Sequence, residues 1–81
     1  MKLKVTLSIE EWNPYYSFVE IEKIPAVFEV SPSGDHKITM LDHIDHPIGE
    51  NILACIEAGQ YAGSFHLPEE NDIRFRIYFS E

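Results

Sequence analysis

Three of the four histidines lie close together in the chain, next to carboxylates. The cluster consists of His36, His43, Asp45 and His46, with Asp42 beside it. Imidazole and carboxylate groups are common ligands of zinc and other transition metals. One hypothesis is therefore a metal-binding protein that uses the three histidines and Asp45. The alternative is a polar loop in which Asp45 or His46 caps the helix that follows.

Aromatic residues are concentrated in a short segment near the start, where Trp12, Tyr15 and Tyr16 follow two glutamates. Trp and Tyr side chains supply much of the contact energy at protein interfaces. One hypothesis is that these three residues anchor a partner. For Trp12 we favour the alternative that its ring folds back as a lid over the core.

Acidic residues are unevenly distributed along the chain, which has 14 Asp and Glu against 6 Lys and Arg and a net charge of −8. The stretch from Ile38 to Ile73 contains no Lys or Arg. It does contain seven acids, namely Asp42, Asp45, Glu50, Glu57, Glu69, Glu70 and Asp72. Such a negative surface steers a cationic partner towards it. The alternative is that the carboxylates serve only solubility.

The net charge and the absence of known sequence motifs argue against several functions. Nucleic-acid backbones and anionic membranes require a positive surface, so we expect neither to be bound directly. The chain has no Gly-rich phosphate loop, no nucleophile-elbow motif and no cysteine pair, and its one cysteine, Cys55, lies among apolar residues. We therefore predict that the protein is not an enzyme and needs no cofactor.

The single cysteine also bears on the compartment, because it cannot form an internal disulfide and fits a reducing environment. No secretory signal precedes the first glutamates, and no apolar run reaches the roughly 18 residues of a membrane helix. These features predict a cytoplasmic location.

The elements that position these residues follow from the spacing of apolar side chains, within one domain of residues 1–81. Alternation predicts strands over 2–9, 15–22, 26–30, 36–41, 61–67 and 73–79. Between the fourth and fifth strands the period changes to three and four residues. We therefore predict an amphipathic helix over 48–59, with Gly59 or Gly63 as its stop signal.

This order, β-β-β-β-α-β-β, predicts a two-layer α+β fold in which one helix covers an antiparallel sheet of about five to six strands. The alternative is a small β-barrel plugged by the helix. If the first and last strands are neighbours, cations form a basic patch on the uncovered face, offset by Glu20, Glu22 and Glu29. The predicted members of that patch are Lys2, Lys4, Arg74 and Arg76, and Lys37 is predicted to point outward as well.

The leading functional prediction is a non-catalytic, acidic protein-binding module, an inhibitor or modulator that occupies a basic site on a larger protein that handles nucleic acid. Immunity proteins, antitoxins and anti-CRISPR proteins are analogies in size and charge alone. The predicted contacts are the seven acids, with Trp12, Tyr15 and Tyr16 as anchors. Alternatives are the metal-binding protein and a self-associating domain that pairs strand edges or buries Tyr78 and Val27 in a homodimer.

Overall fold

The computed structural model describes residues 1–68 and 71–79, which form a small α+β fold. The strands are β1 (Lys2–Asn13), β2 (Ser17–Val30), β3 (His36–Met40), β4 (Ala62–Phe65) and β5 (Ile73–Phe79). The helix, α1 (Gly49–Glu57), lies between β3 and β4 in the chain. The α+β class is confirmed, and the described part has one strand fewer before the helix than predicted.

The strands form one curled, half-barrel sheet in the order β3-β2-β1-β5-β4, with every neighbouring pair antiparallel. β1 is the central strand, and its residues Val5 to Glu11 pair with Phe79 to Ile73 of β5. The first and last described strands are therefore neighbours. This meets the condition under which we expected their Lys and Arg residues to form one basic patch.

The second and third predicted strands are one continuous strand, β2, and the predicted break at Pro25 is wrong. The carbonyl of Pro25 accepts a hydrogen bond from the Leu41 N–H at 2.9 Å, so its backbone groups point away from β1. β3 ends at Met40, opposite Ala26, so the missing N–H of Pro25 lies just beyond the last residue pair of the β2–β3 ladder and not on the side of β1. Proline is tolerated in a sheet at such an edge position.

A β-bulge explains why the two faces of β2 could not be separated by alternation. The pairing register shifts between Ile9, which lies opposite Glu22, and Glu10, which lies opposite Glu20. The extra residue is Ile21, and a bulge of this kind breaks the alternation of side chains along the strand. Glu20 and Glu22 consequently lie on opposite faces of the sheet, although they are two residues apart.

The hydrophobic core lies between α1 and one face of the sheet, which we call the inner face. Its buried residues are Val5, Leu7, Ile9, Ile24, Ala26, Phe28, Ile44, Ile52, Ile56, Ile73, Phe75 and Ile77. The uncovered side of the sheet is called the outer face. Burying each large aliphatic side chain contributes roughly 1.5–3 kcal/mol, so this cluster fixes which way β1, β2 and β5 face.

The start of α1 differs from the prediction. Ile48 is the N-cap residue, and no side chain makes a capping hydrogen bond there, so the predicted cap by Asp45 or His46 is wrong. The His46 side chain instead accepts a hydrogen bond from the Ile48 N–H at 3.3 Å. The backbone carbonyl of His46 accepts a second hydrogen bond, from the Gly49 N–H at 2.9 Å.

The end of α1 follows one of the two predicted stop signals. Gly59 has a φ of +89°, which glycine adopts readily and other residues rarely do. Gly63 lies in β4 instead, where a Cβ atom would approach the Phe75 ring to 2.9 Å. The helix is thus three residues shorter than predicted, since it spans Gly49–Glu57 and not 48–59.

None of the helices in the described ranges has the length and apolar character needed to cross a membrane.

Candidate functional site

The positively charged side chains are collected on one face of the sheet. All six Lys and Arg residues lie on strands and alternate with inner-face residues, so they point to the outer face. They are Lys2, Lys4, Lys23, Lys37, Arg74 and Arg76. Three glutamates, Glu10, Glu20 and Glu29, share this face. The outer face therefore carries a net positive charge within a protein whose total charge is −8.

Each outer-face glutamate has a partner nearby. Arg74 Nε donates to Glu10 Oε1 at 2.6 Å, and Lys2 Nζ lies 3.8 Å from Glu29 Oε2. The Ser8 hydroxyl donates to Glu20. The basic patch is thus partly offset by Glu20 and Glu29, as predicted.

Glu22 belongs to the inner face, so its predicted place in the basic patch is wrong, and the bulge at Ile21 is the reason. Its carboxylate accepts hydrogen bonds from the Asp45 N–H at 2.8 Å and from the His46 N–H at 3.2 Å. This side chain therefore ties the loop before α1 to the sheet. Sequence reasoning missed the contact because it joins residues far apart in the chain.

Four of the seven predicted acidic contact residues lie on α1 and the loop before it, and all four are exposed. These residues, Asp42, Asp45, Glu50 and Glu57, are called the acidic surface below. Asp45 and Glu50 line the same shallow hollow of about 240 Å³. Glu50 and Glu57 are two helical turns apart and so project from the same side of α1.

The other three predicted acids are placed differently. Asp72 precedes β5, where its Oδ1 lies 2.6 Å from His66 Nδ1 and its carbonyl accepts the Trp12 N–H at 2.9 Å. It therefore lies beside β1 and not in the loop before α1. Glu69 and Glu70 are outside the described residues.

We predicted that Trp12 forms a lid over the core, and this prediction is wrong. Its ring packs edge to face against Phe18 on the outer face, with centroids 5.5 Å apart, and the residue is 41% exposed. The Arg74 guanidinium lies 3.9 Å from the centroid of that Phe18 ring. The alternation of β1 accounts for this placement, because Trp12 is two residues from Glu10.

The turn between β1 and β2 is ordered, yet it presents two tyrosines to solvent. Asn13 Oδ1 accepts hydrogen bonds from the Tyr15 N–H at 2.8 Å and the Tyr16 N–H at 3.1 Å. Tyr15 and Tyr16 are 87% and 77% exposed. A turn fixed by its own side chain loses little conformational freedom when it meets a partner.

The four predicted metal ligands are not brought together. His36 packs edge to face on Phe28 with centroids 5.3 Å apart, whereas His43 Nε2 lies 4.0 Å from Asp45 Oδ1. His46 Nδ1 is occupied by the Ile48 N–H. Among residues 1–68 and 71–79, no three His, Cys, Asp or Glu side chains are placed to hold a metal ion.

The residues of the self-association hypothesis share the outer face. Val27 lies opposite Lys4 on the neighbouring strand, and Tyr78 lies opposite Thr6. Tyr78 is exposed and Val27 is half-buried. Cys55, also half-buried, packs against the core, as a small apolar residue of α1 does.

Comparison of the chain with protein-family models, curated proteins and solved structures finds no match.

Proposed function

We propose that this protein is a non-catalytic binding module whose acidic surface occupies a basic site on a larger protein and so inhibits or modulates it. The observation that carries this proposal is the segregation of charge. Every Lys and Arg lies on a strand, so α1 and the loop before it contain acids but no Lys or Arg. Lys37 on the edge strand β3 lines one hollow with Glu57, at one end of the acidic surface.

The electrostatic consequence is a directed attraction. The Debye length is about 8 Å at physiological ionic strength, so only charges that lie close together act jointly on a partner. Asp45 and Glu50 meet this condition because they line one hollow. A partner with Lys or Arg at its binding site is steered towards this side, which raises its association rate more than its final affinity.

The acidic surface is also held in place before any partner arrives. Glu22 fixes the backbone at Asp45 and His46, and Ile44 is buried in the core. Ile52 and Ile56 hold α1 against the inner face. Preorganisation of this kind reduces the conformational entropy lost on binding.

Tyr15 and Tyr16 supply a second, aromatic contact in the proposal, with Trp12 beside them. Exposed tyrosines on an ordered turn bury a large contact area at a small entropic cost. A basic site used for nucleic acid fits this combination, because such sites present cations for phosphates and flat surfaces for bases.

The test is affinity capture from a nuclease-treated lysate with the wild-type protein and the double variant Glu50→Gln/Glu57→Gln. The matched control is Glu29→Gln/Asp35→Asn, which removes the same charge from the end of β2 and the turn before β3, outside the acidic surface. We expect a basic protein to be captured by wild type and control, to be lost with the double variant, and to be released by salt or by added DNA. Capture that is unaffected by the double variant, or by salt, contradicts the proposal.

A further inference from the structure

Two shallow hollows adjoin each other on the outer face. The larger, of about 550 Å³, is lined by residues of β1 and β2 that include Lys2, Lys4 and Thr6. The smaller, of about 250 Å³, is lined by residues of β4 and β5 that include Arg74, Arg76 and Tyr78, and by Glu10. Thr6 of the larger hollow lies opposite Tyr78 of the smaller one on the neighbouring strand. The two hollows therefore adjoin on neighbouring strands, with Tyr78 at their junction, and together they are called the track.

Cations without a carboxylate partner surround this track. In the part of the chain that the structure describes, no carboxylate lies within ion-pair distance of Lys4, Lys23 or Arg76. Lys23 and Arg76 lie on either side of Ser8, whose hydroxyl donates to the outer-face Glu20, and Lys4 is two residues from Thr6 on the same strand. Exposed Tyr78 lies between these charges, with its ring centroid 5.7 Å from the Arg76 guanidinium.

We propose that this outer-face track binds a single-stranded nucleic acid. Lys4, Lys23 and Arg76 contact phosphates of its backbone, and Tyr78 stacks on a base. An open track that crosses several strands fits an extended polyanion better than a compact ligand, which requires an enclosing pocket. An acidic peptide would satisfy the cations but would leave the Tyr78 ring without a flat partner.

From the net charge of −8 we expected that the protein would not bind nucleic acid directly. The net charge of the whole protein, however, does not describe the charge of one face. The smallest dimension of the molecule is 18 Å. This exceeds the Debye length of about 8 Å at physiological salt, so acids on the helix side are largely screened from a ligand on the outer face. The local balance of six cations against three glutamates is what a bound strand experiences.

This inference does not depend on the proposed function. The acidic surface and the outer-face track lie on opposite sides of the sheet, so both can be occupied at once. The test below uses purified protein and a defined oligonucleotide, with no protein partner present. Its outcome therefore leaves the capture experiment unaffected.

The test is fluorescence anisotropy with labelled single-stranded DNA and RNA of about ten nucleotides, a length that matches known single-strand sites. We expect dissociation constants of roughly 1–100 µM at about 0.15 M salt, as for sequence-independent binding. Arg76→Gln and Lys23→Gln should each weaken binding at least about threefold. Tyr78→Leu, which keeps the charge, should weaken it about fivefold or more.

The matched control is Asn51→Asp on the exposed side of α1, which changes the net charge by the same amount as Arg76→Gln. It should leave the affinity within about twofold of wild type. A loss equal to that of Arg76→Gln would mean that only bulk charge matters, and would overturn the proposal. So would the absence of binding at about 100 µM protein.

Two further readouts keep the test decisive if a variant folds poorly. Backbone amide shifts of the wild-type protein should move on β1, β2 and β5 when the oligonucleotide is added. Shifts centred on α1 would overturn the proposal. Competition by polyglutamate as strong as that by unlabelled oligonucleotide would assign the face to acidic protein segments in place of nucleic acid.

Discussion

Glu22 is the residue whose contacts most exceed what its sequence neighbours suggest. Its two carboxylate oxygens accept hydrogen bonds from the N–H groups of Asp45 and His46, so one side chain fixes the loop that leads into α1. A charged acceptor of this kind contributes more than a neutral one does, because the interaction is charge-assisted.

We predict that Glu22→Ala lowers the free energy of unfolding by about 1–2 kcal/mol, because two backbone donors lose their acceptor. Chemical denaturation measures this change. Amide exchange at Asp45 and His46 should also accelerate, since the loop before α1 is no longer tied to β2.

The control for this prediction is Glu29→Ala, which removes a glutamate of the same strand whose carboxylate lies 3.8 Å from exposed Lys2 Nζ. An exposed ion pair is worth about 0–1 kcal/mol, so this variant should be nearly as stable as wild type. Equal losses in both variants would show that Glu22 does not act through the loop.

At the scale of elements, α1 carries one glutamate near each end. Glu50 lies in the first turn, Glu57 is the last helical residue, and the last turn has no basic residue. The helix dipole places partial positive charge at the N-terminus and partial negative charge at the C-terminus. The two carboxylates, which belong to the same acidic surface, thus have opposite effects on the helix.

We predict that Glu50→Gln destabilises the protein and Glu57→Gln stabilises it, each by about 0.3–1 kcal/mol at low salt. Each variant is the control for the other, because both make the same chemical change on the same helix. Thermal melts at low ionic strength measure the difference. Shifts of the same sign would show that net charge outweighs the dipole.

The elements themselves were predictable to different degrees. Apolar and polar residues alternate cleanly over 2–9 and 73–79, so the existence and the faces of β1 and β5 could be read from the sequence, but the continuation of β1 to Asn13 could not. Pro25 and Ile21 were misleading, because a proline at an open edge and an extra residue in a bulge are decided by the neighbouring strands. Local patterns contain no information about those neighbours.

The candidate surfaces could be predicted only in part, because they too depend on which strands are neighbours. Strand alternation placed five of the six outer-face cations, and Lys23 joins them only because Pro25 does not interrupt β2. The contact of Glu22 with the loop before α1, and the packing of Trp12 on Phe18, depend on tertiary pairing. Spacing along one segment does not report such contacts.

At the scale of the whole molecule, the segregated charge acts on stability as well as on partners. Acids on the helix side repel one another without intervening Lys or Arg, and salt screens this repulsion. The Lys and Arg ion pairs that salt would weaken are Lys2 with Glu29, which is largely exposed, and Arg74 with Glu10, where the glutamate side chain is 22% exposed. The exposed pair contributes little, and the remaining pair is set against several repelling acids, so we expect the repulsion to dominate.

We predict that raising NaCl from about 10 mM to about 300 mM raises the melting temperature. The response should be smaller in Asp42→Asn/Asp45→Asn/Glu57→Gln, which removes three of the repelling charges. Calorimetry at a series of salt concentrations measures both. A melting temperature that falls with salt would mean that ion pairs outweigh the repulsion.

The central position of β1 also has a consequence for folding. Its pairing with β2 requires only a short turn, but its pairing with β5 joins Val5 to Phe79 and Glu11 to Ile73. Closing so long a loop is slow compared with forming a hairpin. On the ribosome, one edge of β1 and the apolar side chains beside it therefore stay open until residues 73–79 have been made. During that interval another nascent chain can pair with this edge, which makes it the point at which aggregation competes with folding.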